Sequence, residues 1–119
     1  MKPRRTLERE AVVLRVDPGD GSSGVFRDAA VALCLSAPLD ASCLEAARIG
    51  VRDASGTVPG ELALSGDGCV LIWRATRKLV PDTVHFVVAD GLRDRRGRPF
   101  PGHISRFVPC AVDFAELPD

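Results

Sequence analysis

Short apolar runs alternate with clusters of Gly, Pro, Asp and Ser along the whole chain, at the spacing of about eight to twelve residues typical of small β-sandwiches. The runs fall at residues 11–16, 29–35, 49–52, 58–64, 69–74, 83–89 and 104–108, which predicts about seven strands. Residues 69–74 and 83–89 are the strongest, being rich in β-branched and aromatic side chains. Between the runs, residues 17–24 (Asp17-Pro-Gly-Asp-Gly-Ser-Ser-Gly24), 53–56 and 65–68 read as turns, and 90–102 as a charged loop. Asp40 opens Asp-Ala-Ser-Cys-Leu-Glu, where its carboxylate would cap one short helical turn near 40–46. The expected class is all-β, with two antiparallel sheets packed face to face.

Composition adds that this is one domain. The chain has 119 residues, of which 45% are hydrophobic, enough for an ordinary core. Residues 1–9 read as a flexible basic lead, 10–110 as the sandwich and 111–119 as an acidic tail carrying Asp113, Glu116 and Asp119. Lys plus Arg and Asp plus Glu both total 16, so the formal charge is zero. That balance argues against nucleic acid or a membrane surface as partner, since both select excess positive charge. It also leaves self-association unopposed by repulsion. No apolar run reaches the roughly 20 residues that cross a bilayer. The start, Met1-Lys-Pro-Arg-Arg5, has the charge of a signal peptide without the apolar segment that should follow. The chain as encoded is therefore expected in the cytoplasm, or at the cell surface or outside the cell if the true start lies upstream. Cys34, Cys43, Cys69 and Cys110 are widely spaced and form no C-x-x-C pair, which disfavours zinc. They are expected as free thiols in a reducing compartment, or as two disulfides in an exported protein.

The order of the turn motifs resembles the bacterial immunoglobulin-like domain found in S-layer proteins. The residues that carry this are Pro18-Gly-Asp-Gly21, Leu35-Ser-Ala-Pro-Leu-Asp40, Val51-Arg-Asp-Ala-Ser-Gly56, Leu79-Val-Pro-Asp-Thr83 and Gly91-Leu-Arg-Asp-Arg-Arg-Gly97. The similarity covers about residues 12–109, nearly the whole chain. The resemblance implies an immunoglobulin-like sandwich of about seven strands and a spacer, adhesion or assembly role without catalytic residues. It departs from the family pattern at His85, where a Tyr is usual, and in standing alone rather than as a repeat.

On that resemblance the inward positions are Val12, Leu14 and Val16, then Val31, Leu33 and Leu35, Leu71 and Trp73, and His85, Val87 and Ala89. Alternate residues of a strand face opposite ways, so the others should be polar. They are not: Val13, Ala30, Ala32, Cys34, Val70 and Ile72 would face out from one sheet, and Phe86 and Val88 from the other. Contiguous exposed apolar area marks an interaction surface. Val13, Ala32, Cys34, Val70, Ile72, Phe86 and Val88 are thus candidate contacts for a protein partner or for a second copy. Folding back of the lead, or of Phe114 and Leu117, would instead cover them.

Candidate chemistry changes this picture little. Arg93, Arg95, Arg96 and Arg98 crowd one loop around Asp94, an electropositive tip suited to an acidic protein surface. No aromatic residues interleave with them for base stacking. His85 would fill the corner where a Tyr hydroxyl bonds the backbone. His103, in Pro101-Gly-His-Ile104, bears a faint likeness to the periplasmic copper-carrier domain, and Asp17, Asp20, Asp90 and Asp94 are loop carboxylates of the kind that bind calcium. No Gly-x-Ser-x-Gly elbow, Cys–His–acid set or phosphate loop is present in the sequence. The expected function is a non-catalytic assembly or interaction module with no cofactor, the alternative being a small ligand- or metal-binding sandwich.

Overall fold

A computed structural model describes residues 11–117, so the lead at 1–9 lies outside the described residues. Among the described residues nine strands are formed: β1 (Val13–Asp17), β2 (Ser22–Val25), β3 (Val31–Leu35), β4 (Arg48–Asp53), β5 (Gly56–Val58), β6 (Gly60–Leu64), β7 (Val70–Ala75), β8 (His85–Asp90) and β9 (His103–Pro109). They build a four-stranded sheet in the order β1-β3-β7-β6 and a five-stranded sheet in the order β2-β9-β8-β4-β5. The chain is an all-β sandwich, and among the described residues no helix is long and apolar enough to cross a membrane.

The core lies between the sheets and follows the alternation of the central strands. Val31, Leu33, Leu35, Leu71 and Trp73 enter it from one side, Val51, Val58, Val87, Ala89 and Phe107 from the other. Ala11, and Leu39, Leu79, Leu92 and Phe100 from the connecting loops, complete the buried cluster. The short turn appears as a 3-10 segment at Ala41–Glu45, where the Asp40 carboxylate accepts from the Ser42 N–H at 3.0 Å.

Two segments differ from the sequence reading. Residues 58–64, expected as one strand, divide at Pro59: β5 pairs with β4 and β6 with β7, in different sheets. Pro59 has no N–H to continue a ladder, and Gly60 has no side chain, so the chain can cross between sheets against Trp73. Residues 22–24, expected as the end of the turn at 17–24, belong to β2, which pairs with β9 in parallel. The sheets are therefore not wholly antiparallel. The Gly and Ser content of β2 conceals it, and its register comes from distant partners: Gly21 N–H donates to the Arg106 carbonyl at 2.8 Å, and Arg106 N–H to Asp20 at 3.0 Å.

At the C-terminal end, residues 111–117 turn back on the body. Phe114 packs edge-on against Phe26 with centroids 5.7 Å apart. The Asp28 carboxylate accepts from the N–H groups of Phe114 and Ala115, and Lys78 pairs with the buried Asp113.

Candidate interaction surface

Register decides which apolar side chains face out. On the four-stranded sheet, Ala32 lies opposite Ile72 and Ile72 opposite Ala63; Cys34 lies opposite Val70. These residues form the outer face, as expected, and Ala32, Cys34, Val70 and Ile72 are all half-buried by their neighbours. Val13 does not join them. A bulge between Val13 and Arg15 shifts the register, so Val13 pairs with the inward Leu35 and packs against the core. Leu14, expected inside, is the residue the bulge expels, and it is 66% exposed. Arg15 and Asp17 then border the apolar rows on one side, and Glu61 and Arg74, paired on β6 and β7, on the other.

The outer face of the five-stranded sheet carries the more exposed large apolar side chains. Phe86 is 39% exposed and Val88 half-buried, both on the outside as expected. Ile104 lies opposite Val88 and is 69% exposed, and Val108 follows it two pleats along β9. The sequence placed a strand at 104–108 without assigning its faces; its alternation, Ile104 and Arg106 outward against Ser105 and Phe107 inward, carried the signal. Arg52 and Arg106 flank Phe86 across the ladders, and Arg48 faces Asp90. A shallow hollow of about 380 Å³ opens beside Val88, lined by Arg48, Gly50, Arg52 and Thr57 among others.

The arginine loop is a rigid tip rather than a loose one. Gly97 (φ +82°) supplies its bend, a conformation most L-residues avoid. Asp94 is buried beneath it. One carboxylate oxygen accepts the N–H groups of Arg96 and Arg98 at 2.9 and 2.8 Å, and the other takes the Arg98 Nε–H at 2.7 Å. Arg93, Arg95 and Arg96 are exposed on this support, with the Arg95 guanidinium lying against Gly68. They stand at the end of the sandwich, on the loop between β8 and β9, apart from the outer sheet faces.

Burial works against ionisation of Asp94, but the Arg98 and Arg96 bonds outweigh it and hold the carboxyl below the usual carboxylate range. Asp28, Asp40, Asp53 and Asp67 are lowered too. The folded state then binds fewer protons than the unfolded chain. The stabilisation is complete above the unfolded carboxylate range, about pH 4, and is lost as the pH falls through it toward the lower folded values. Urea midpoints should be flat near neutrality and drop in acid, and Asp94→Asn should lower the neutral midpoint while flattening the acid slope. An unchanged acid slope in that variant would show that Asp94 contributes none of it.

The histidines have structural partners. His85 is fully buried, its Nδ1–H donates to the Thr83 carbonyl at 2.8 Å, and its ring stacks on Phe107. This is the backbone bond expected at the corner position. His85 Nε2 faces the Asp53 carboxylate at 3.9 Å. His103 Nε2 lies 3.0 Å from the Ser105 hydroxyl. Among the described residues no three His, Cys, Asp or Glu side chains gather as a metal site, and Asp20 and Asp94 are engaged by Arg106 and by Arg96 and Arg98. All four cysteines are free thiols.

No family model and no curated protein matches the chain. Solved structures do. Domains 1–6 of the surface layer protein SbsC match with a TM-score of 0.63 at 17% identity, over 88% of this chain and 14% of that one. CopC from Methylosinus trichosporium OB3b matches with a TM-score of 0.70 at 13% identity, over 85% of this chain and 94% of that one. L,D-transpeptidase 3 from Mycobacterium tuberculosis matches with a TM-score of 0.58 at 17% identity, over 83% of this chain and 37% of that one. The chain thus spans a small part of the S-layer protein and nearly all of the length of CopC. At such identities the shared feature is the fold, an immunoglobulin-like β-sandwich.

Proposed function

We propose that the chain is a non-catalytic interaction module that docks a protein partner on the outer face of its five-stranded sheet. The observation that carries the reading is the run of Phe86, Val88 and Ile104 on that face, with Ile104 69% exposed. An isolated exposed apolar residue is ordinary, but adjacent ones on a flat sheet are what interfaces use. Arg52 and Arg106 beside them suit a partner that presents apolar side chains ringed by carboxylates, and guanidinium groups are enriched in such contacts. The S-layer likeness adds an assembly role for the same fold. The half-buried Ala32, Cys34, Val70 and Ile72 would be a secondary surface, and Arg93, Arg95, Arg96 and Arg98 a charged tip that orients the encounter.

A photo-crosslinking side chain at Ile104 tests this in the expressing cell. A discrete protein adduct is expected there and not at Leu14, and Phe86→Lys should lower its yield about tenfold or more, as for an interface anchor. No adduct at Ile104, or a yield untouched by Phe86→Lys, would overturn the reading.

A second reading, copper binding with His103 as the candidate ligand, draws on the likeness to PcoC, a methionine-rich copper resistance protein from Escherichia coli, which matches with a TM-score of 0.66 at 13% identity over 85% of this chain and 99% of that one. It predicts that copper raises the melting temperature of wild type and not of His103→Ala. The interaction reading predicts no shift in either.

A further inference from the structure

A sandwich leaves four strand edges, and three of these are blunted. β1 is bulged at Leu14, the β2 register shifts between Ser23 and Val25, and β5 spans only three residues. β6 is different: it pairs with β7 over five consecutive residues with no irregularity and carries one charge, Glu61. Regular, uncharged edges are the ones that recruit another strand.

The hydrogen bonds at either end of β6 fix which of its groups face outward. Thr76 N–H donates to the Pro59 carbonyl, and Ser65 N–H to the Val70 carbonyl. Bonded pairs alternate in an antiparallel ladder. Residues 59, 61, 63 and 65 therefore turn their main-chain groups to β7, and Gly60, Leu62 and Leu64 turn theirs to the open edge.

We infer that two copies of the chain join through β6, antiparallel, about a two-fold axis at Leu62. This rests on the assembly reading above and assigns it a second surface. With Leu62 opposite Leu62 of the second copy, Gly60 meets Leu64 and Glu61 meets Ala63, so no like charges are apposed. The edge-facing groups of Gly60, Leu62 and Leu64 then form about six main-chain hydrogen bonds. The Leu62 side chains, each 38% exposed in one copy, meet across the axis. The outer row of Ala32, Ile72 and Ala63 then runs on into Glu61 and Arg74 of the second copy, within one eight-stranded sheet. A zero net charge leaves the approach unopposed. A second copy is favoured over an unrelated strand because this register satisfies both edges at once, without a charge clash.

Analytical ultracentrifugation of the full chain over a concentration series tests it. Wild type should dimerise. Leu62→Pro removes only the edge-facing N–H, leaving the β7 ladder intact, and should weaken the dimer about thirtyfold for the two bonds lost. Leu62→Lys keeps the backbone but sets like charges face to face. It should weaken the dimer about tenfold, and added salt should restore it. Trp73 fluorescence melts near the wild-type value show that either variant is folded. A wild type that stays monomeric throughout, or a Leu62→Lys variant that dimerises like wild type, overturns the inference. A dimer kept in Leu62→Pro but lost in Ile104→Lys also overturns it, and leaves the five-stranded face as the interaction surface.

Discussion

Phe107→Ala is expected to destabilise the fold by about 3–5 kcal/mol, enough to threaten a domain whose total stability is about 5–15 kcal/mol. Phe107 is buried, faces the opposite sheet and stacks on His85 with ring centroids 5.4 Å apart. Its neighbours are backbone ladders on both sides, β8 through His85 and β2 through Ser22, so they cannot collapse into the cavity. The variant also strips the face of His85, whose Nδ1–H holds the Thr83 carbonyl at the strand entrance. Urea unfolding followed by Trp73 fluorescence measures the loss. Ile104→Ala, three residues away and outward-facing, should change stability by less than about 0.5 kcal/mol. A Phe107→Ala loss as small as that would mean the core repacks around it.

Gly60→Ala is expected to cost about 2–3 kcal/mol, although Gly→Ala at an unstrained position usually stabilises by about 0.4–1 kcal/mol. A β-carbon at Gly60 would fall inside the Trp73 indole, meeting Nε1, Cε2 and Cζ2 together. Trp73 is itself buried, so the ring has nowhere to retreat. Gly66→Ala is the control, since nothing lies within 4 Å of its β-carbon. The decisive measurement is a double-mutant cycle: in a Trp73→Leu background, Gly60→Ala should lose most of its effect. Equal losses in both backgrounds would place the cost in the backbone and not in the indole.

Both substitutions act where the two sheets meet, and the sequence was informative there to different degrees. The buried set of Val31, Leu33 and Leu35, and of Leu71 and Trp73, was legible through the resemblance, because both faces of these strands are apolar and a period of two alone does not say which is core. His85 at the corner came from the same resemblance, and its ring bonds back two residues to Thr83. The outward Phe86 and Val88 followed directly from it. Ile104 could have been read from the last strand in the same way.

Other features were hidden because their cause is not local. A bulge inserts one residue without changing composition, so Val13 and Leu14 exchanged sides with no sign in the run 11–16. Asp94 looked like one acid in an arginine-rich turn. Its burial, and the three bonds that make the tip rigid, exist only once the loop closes over it.

By itself, the sequence determined the class: apolar runs of strand length, punctuated by turn residues, can bury their faces only by packing sheet on sheet. It also determined that some outer positions are apolar, since no register of 83–89 makes them polar. The tertiary structure decided which of those positions share a surface. Neighbours across a sheet are chosen by register and strand order, and these depend on contacts far apart in the chain, such as Gly21 with Arg106 and β5 with β4. For the same reason only the folded arrangement gathers Phe86, Val88 and Ile104 on one face and leaves β6 as the open edge.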